Sequence, residues 1–244
     1  MSSIFSTQSE LEKITRLLAN YVRLPVSTDT IPGNFMESVL AHVRRAEVLH
    51  NYDYIDVYKP ESRIGWSVKS TKASTPLTWK RAKIPNKIEM IDRSRHSVDA
   101  CQELGKTIIN FCNEHAHASM SKYSLEKIGY ARLLLHKDGD VEYFERVLCS
   151  RDHPDIFNPN DFEWHWSQAK ATRSKEQLPA LHGIHKPTGA KWWAWHGHGE
   201  NQLHFSGEKN WWPEIDSPHS IRFHFPSEQD KISFEHLVDL LEKV

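Results

Sequence analysis

Val98, Cys101, Leu104, Ile108 and Cys112 recur at i, i+3 and i+4 in the middle of the chain, the period of an amphipathic helix. The spacing predicts one long helix from about Ser97 to His117. β-rich runs lie on either side, and a helix framed by strands defines an α/β chain. Upstream, Tyr52 to Tyr58 and Ile64 to Thr71 read as two strands joined by turn residues in Lys59 to Gly65. Downstream, Tyr130 to His136 and Val141 to Cys149 flank Lys137-Asp138-Gly139-Asp140. Asp-Gly accepts positive φ, which makes this a strong hairpin signal.

Two more helices are expected near the N-terminus. Ser9 and Glu12 have capping-box spacing, and Leu11, Ile14, Leu18 and Tyr21 follow on one stripe, so a helix is predicted from Glu10 to Val22. Pro25 and Thr30-Ile31-Pro32-Gly33 separate it from a second helix, Asn34 to Val48, with Phe35, Val39, Val43 and Ala46 on its stripe and Glu37 beside them. Lys72 to Arg95 is basic and punctuated by Pro76 and Pro85, so loop and short elements are expected. From Asp152 proline, asparagine and histidine rise, and seven of the nine Trp lie between Trp164 and Trp212. The expected division is a core with its N-terminal helices over 1–150 and a Trp/His-rich region over 151–244, either a second small domain or an elaboration of the first. Ser227 is expected to cap a last helix carrying Phe234, Leu237, Val238 and Leu241.

At 244 residues the chain has room for one large domain, or one with an appendage, and 39% hydrophobic content with 9 Trp and 10 Phe suffices for a core. No run approaches the roughly 20 apolar residues of a membrane span, and Met1 to Glu12 lacks the apolar stretch of a signal peptide. Cys101, Cys112 and Cys149 are odd in number and lack C-x-x-C spacing. Neither a disulfide framework nor a cysteine zinc site is readable, and a reducing, cytoplasmic setting is expected. The net charge is −1, yet Lys59 to Arg95 holds ten basic and three acidic residues. Such a stretch attracts phosphate, and it is also what a solvated basic loop looks like.

Asp56 on the first predicted strand, Ser67-Val68-Lys69 on the second and Glu37 on the preceding helix form the strongest constellation. Residues two apart share a strand face, so Ser67 and Lys69 project together toward Asp56. Phosphodiester hydrolysis uses that set: carboxylates hold Mg²⁺ on the scissile phosphate and a lysine positions the attacking water. Asp56 as a strand-end cap and Lys69 as a solvated strand residue are the alternatives.

At these residues the chain resembles the PD-(D/E)XK nuclease superfamily, which includes many type II restriction endonucleases and Holliday-junction resolvases. The order matches over roughly residues 33 to 136: a helix with Glu37, a hairpin with Asp56 and then Val68-Lys69-Ser70-Thr71, a long helix from about Ser97, and a strand from Tyr130. The resemblance implies a restriction-endonuclease-like core, a mixed sheet flanked by helices. Ile55 stands where the family usually has proline, and Ser67 where it has Asp or Glu. The missing acid must come from elsewhere, with Glu37 the first candidate and Glu89 the second. The backbone carbonyl of Val68 is a further metal ligand on this reading.

Ser70, Thr71, Lys72, Thr78, Lys80, Arg81 and Lys83 alternate cations with hydroxyls beside the proposed site. These groups suit phosphate oxygens and give affinity without reading sequence. Lys191 to Phe205 reads as a second hairpin whose tip residues His198, Asn201 and Gln202 are placed to meet base edges, with its tryptophans packing the base. His196, His198 and His204 also admit a metal reading. The combined expectation is a Mg²⁺-dependent, sequence-specific endonuclease of double-stranded DNA, acting as a homodimer on a palindromic site. A structure-specific resolvase or repair nuclease, an inactive DNA-binding protein on the same fold, and a histidine-metal enzyme are the alternatives.

Overall fold

A computed structural model describes residues 3–28, 30–50, 53–171, 176–211 and 218–243. Its elements are α1 (Gln8–Val22), α2 (Gly33–Arg44), β1 (Glu47–Val48), β2 (Val57–Lys59), β3 (Ile64–Lys72), β4 (Leu77–Arg81), α3 (Lys87–His96), α4 (Val98–Lys122), β5 (Lys127–Leu135), β6 (Asp140–Ser150), β7 (Phe162–Trp166), β8 (Lys170–Ala171), β9 (Glu176–Gln177), β10 (Leu181–His185), β11 (Ala190–Trp195), β12 (Gln202–Phe205), β13 (Ser220–His224) and α5 (Phe234–Leu241). The chain is mixed α/β. None of the described helices is long and apolar enough to cross a membrane.

Two compact units divide the chain discontinuously. The first comprises Met1–Thr75, Ser119–His153 and Pro213–Val244, the second Pro76–Ala118 and Pro154–Trp212. The division runs across the expected boundary at residue 150: β4, α3 and most of α4 belong with the Trp-rich segment, while β13 and α5 belong with the N-terminal helices.

In the first unit six strands lie in the order β1-β2-β3-β5-β6-β13. β3 and β5 are parallel in register from Ile64↔Lys127 to Lys72↔Leu135, and the other pairs are antiparallel. Gly139 turns β5 into β6 at φ 87°, as the Asp-Gly signal requires. Leu11, Ile14 and Leu18 of α1 and Met36, Val39 and Leu40 of α2 join Val57, Trp66, Val68, Leu133 and Tyr143 in one core. Fully burying side chains of this size stabilises by roughly 1.5–3 kcal/mol each.

Beside this apolar core is a buried polar network. Glu145, 2% exposed, accepts hydrogen bonds from the Ser6 backbone N–H at 2.5 Å, the Ser6 hydroxyl at 2.7 Å and the Tyr143 hydroxyl at 2.7 Å. Arg44 donates to the Ser6 hydroxyl, to Glu10 and to the Ser3 carbonyl. The indole N–H of Trp66 donates to the Ile4 carbonyl at 3.1 Å. The segment preceding α1 is thereby tied to the sheet.

In the second unit five antiparallel strands lie in the order β4-β12-β11-β10-β7. One face is aromatic: Trp193 lies 4.6 Å from Phe205 and 5.0 Å from Phe157, and Trp79 lies 5.0 Å from Phe205. The tryptophans of the predicted hairpin, Trp192, Trp193 and Trp195, are buried core. β7 is an edge strand, and its exposed backbone at Trp164 is satisfied by α4. The Gln102 amide donates to the Trp164 carbonyl at 2.7 Å and accepts from the Trp164 N–H at 3.0 Å. Gly105 lets α4 come this close, since a Cβ there would sit 2.2 Å from the Trp164 ring.

Several expected boundaries are corrected. The capping box of α1 is Thr7 with Glu10, not Ser9 with Glu12, and Glu10 is also held by Arg44 at 3.2 Å. α2 ends at Arg44 because Arg45 takes the left-handed conformation at φ 51°, and Glu47–Val48 pair as a strand instead of continuing the helix. Within the stretch expected to hold loop and short elements, Leu77–Arg81 forms β4 and Lys87–His96 forms α3. Ser227 caps only a short 3-10 turn, and Ser233 caps α5. Tyr52, expected to begin the first strand, lies outside the described residues.

Candidate active site

β2 and β3 pair only over Val57–Lys59, so β3 runs on beyond its partner and leaves an open edge at residues 67–72. Asp56 immediately precedes β2, and its N–H donates to the Trp66 carbonyl at 2.8 Å. The Asp56 side chain therefore turns along that edge. Its Oδ2 accepts from the Val68 N–H at 2.6 Å and lies 3.3 Å from Lys69 Nζ. The Ser67 hydroxyl is 3.5 Å from the same oxygen, and Ser67 itself is buried. Lys69 Nζ also donates to the Val68 carbonyl at 3.0 Å.

Glu37, half-buried on α2, completes the group. Burial pushes its carboxyl above the usual carboxylate range, the nearby Asp56 charge pushes the same way, and Lys69 and His50 oppose. Glu37 and Asp56 are thus close enough to repel, which is the arrangement a divalent cation relieves. The two carboxylates and the Val68 carbonyl are hard oxygen donors suited to Mg²⁺. Among the described residues no group of three or more His, Cys, Asp or Glu converges as a metal centre. On this donor set the remaining positions fall to backbone oxygen, water and substrate.

Two residues escaped the sequence reading. His50, exposed just after β1, adds a positive influence on Glu37, and nothing in its local pattern marks it. Arg132, 1% exposed on β5, is in register with Lys69 and donates to the Thr71 hydroxyl at 2.8 Å and the Leu133 carbonyl at 2.7 Å. A lone arginine inside the apolar run Ile128 to Leu135 was the available signal.

The other expected residues divide. Ser70 donates to the Ile31 carbonyl at 2.7 Å, and Thr71 receives Arg132, so both hydroxyls have internal partners. Lys72 ends β3, half-buried. Glu89 lies in the second unit, in the first turn of α3, where it lines an open cavity of about 800 Å³ with Lys83, Lys87, Asp92 and Asn201. Thr78, Arg81 and Lys83 are exposed, with Arg81 3.6 Å from Glu200. Lys80 is buried at 8% exposure, which removes it from any phosphate contact.

The expected base-reading residues are engaged within the second unit. Lys87 Nζ donates to Asn201 Oδ1 at 2.8 Å and to the Gly197 carbonyl at 3.0 Å. Gln202 bridges Glu200 and His204, and His198 meets Arg95 at 2.8 Å. The three-histidine metal reading therefore does not assemble: His196 faces His204 with ring centroids 4.6 Å apart, while His198 turns to Arg95 and Trp166.

Comparison with protein-family models, with curated proteins and with solved structures finds no match in any of the three.

Proposed function

We propose that the chain is a Mg²⁺-dependent endonuclease of double-stranded DNA, built on a restriction-endonuclease-like core of the PD-(D/E)XK kind. The observation carrying this reading is the convergence of Glu37 from α2 and Asp56 from the turn before β2 on Lys69 at the open edge of β3. The parallel pairing of β3 with β5 after the long helix α4 supports it further.

Asp56 and Glu37 are the side chains to hold Mg²⁺, with the Val68 carbonyl beside them. When bound, the ion would supply charge neutralisation at the scissile phosphate and would make water a better nucleophile there. Lys69 Nζ, held between Asp56 and the Val68 carbonyl, donates hydrogen bonds to an incoming water and orients it for in-line attack on phosphorus. The Val68 N–H fixes Asp56 Oδ2 at 2.6 Å. A double-strand cut needs one such site per strand, so a homodimer on a palindromic sequence is the simplest assembly.

The test is incubation of the chain with methylated and unmethylated duplexes plus Mg²⁺ and mapping of the ends. Cleavage that Asp56→Ala and Lys69→Ala both abolish supports the assignment, and full activity in either variant rejects it. A second reading, a DNA-binding protein without catalysis, is favoured by one observation: Ser67 stands in place of an acid with its hydroxyl 3.5 Å from Asp56. It predicts duplex binding and no cleavage with any divalent ion.

A further inference from the structure

In the second unit, opposed residues His165, His182, Ala194, His204 and Thr78 form one unbroken row across β7, β10, β11, β12 and β4. Strands lie about 4.8 Å apart, so the row spans about 19 Å. Its side chains are exposed or half-buried, whereas the neighbours that point the other way, Trp164, Trp193, Leu203, Phe205 and Trp79, are buried. The His165 and His182 rings lie 5.7 Å apart, and His196 extends the row's face by packing 4.6 Å from His204. Lys191 and Arg81 border it.

We propose that this outward face of the five-stranded sheet is a contact surface for the sugar–phosphate backbone of duplex DNA. The inference rests on the DNA-substrate reading above and relocates recognition from the hairpin tip to the sheet. The composition of the outward positions argues for it: across all five strands the single acid is Glu163, against Arg81, Lys191 and the histidines His165, His182 and His204. In a chain with 32 Asp and Glu, that depletion leaves a face of neutral and cationic donors with one acid, Glu163, on the edge strand β7. Imidazole, hydroxyl and amide groups in a flat row hydrogen-bond phosphate oxygens, and they do so without reading bases. Duplex is favoured over single strand because Trp79, Trp164, Trp193 and Trp195 beside the row are buried on its other side and the half-buried Trp166 is covered by Arg95 and His198, which removes the indole platforms on which unpaired bases stack. A protein partner is disfavoured because Ile184 is the only large apolar side chain among the outward positions.

The test is duplex and single-strand binding by the full chain, measured by fluorescence anisotropy without Mg²⁺ across a salt series. The triple variant His165→Glu, His182→Glu, His204→Glu is compared with Lys106→Glu on the exposed face of α4. The face predicts that the triple variant weakens duplex binding about tenfold or more and flattens its salt dependence, while Lys106→Glu changes it less than about twofold. Near-UV circular dichroism checks the tryptophan core, and if the triple variant loses that signal, His165→Glu alone, at an exposed strand position, is expected to weaken binding about threefold. Equal duplex affinity in wild type and the folded triple variant, or in wild type and folded His165→Glu where the triple variant does not fold, overturns the proposal, as does preferential loss of single-strand binding. A chain that cuts DNA while its face variants bind normally rejects this surface alone. A chain that binds through this face and never cuts rejects the nuclease alone. Absence of any duplex binding in wild type overturns the surface.

Discussion

Lys69 Nζ lies 3.3 Å from Asp56 Oδ2 while also donating to the carbonyl of the residue before it, Val68, at 3.0 Å. The pair is half-buried, with side-chain exposures of 22% and 27%, so neither partner is part of the packed core. Lys69→Met is therefore expected to cost less than about 1 kcal/mol of stability. The same change is expected to reduce cleavage by about two orders of magnitude or more. Urea denaturation and a plasmid-nicking time course measure the two effects. A large stability loss accompanied by unchanged cleavage would make Lys69 structural.

Glu37 reports on its neighbours. Its raised pKa comes first from burial and then from Asp56, so Asp56→Asn is expected to move it down and Lys69→Met to move it further up. Carbon-13 NMR of the labelled carboxyl reads both shifts. Opposite signs in the two variants place Glu37 within the charge field of the pair, and no movement in either removes it from the site.

The Glu145 network gives a stability prediction. Burial raises the Glu145 carboxyl, while the Ser6 N–H, the two hydroxyls and Arg44 oppose that. A carboxyl whose pKa is raised on folding takes up a proton more readily in the native state, so its contribution to stability grows as pH falls through the raised value and fades as pH rises past it. Wild type is expected to lose stability relative to Glu145→Gln as pH climbs above 4.5. Glu145→Leu, which strands the Ser6 and Tyr143 donors, is expected to cost about 2–4 kcal/mol at pH 7. Urea midpoints across pH check both.

His196 and His204 titrate in the opposite sense. Burial depresses both, His196 adds to the effect on His204, and Lys191 acts on each. A histidine depressed on folding stabilises the native state above its ordinary value of 6.5, and that contribution is lost as pH falls through the lowered value. The melting temperature is expected to drop between pH 7 and pH 5 by more in wild type than in the double variant His196→Asn, His204→Asn. Parallel pH profiles would show that the pair carries no linkage.

Gly105→Ala tests the fit of α4 against Trp164. The added Cβ would lie 2.2 Å from the indole, so the gain of alanine in helix propensity, about 1 kcal/mol, is outweighed by overpacking. Net destabilisation of about 1–3 kcal/mol is expected from chemical denaturation, and a stabilised variant would show that the ring has room to move.

The local patterns were legible where one element carried its own signal. The α4 stripe and the Asp-Gly turn needed no partner to be read, and Ser67 and Lys69 were legible together because strand alternation puts residues two apart on one side, whereas Asp56 reaches them from the turn before β2 and Glu37 from α2. β4 and α3 were hidden for a physical reason. Trp79 is buried only by partners such as Phe157 and Phe205, far along the chain, while its flanks are basic and proline-bounded. The end of α2 was masked because Ala46 and Val48 fit helical and strand spacing alike, and only the left-handed turn at Arg45 decides. The engagement of Asn201 by Lys87 depends on a contact between residues 114 apart, to which periodicity is blind.

Because the chain leaves and re-enters each unit, with one passage inside the continuous helix α4, neither unit is specified by a contiguous stretch of gene. A ribosome delivers the first sheet's inner strands, β3 and β5, well before its edge strand β13, and completes the second sheet in between. Contacts of such wide sequence separation form slowly. Terminal truncations will therefore remove pieces of one unit without liberating the other, and functions assigned to either must be dissected by point substitution in the intact polypeptide.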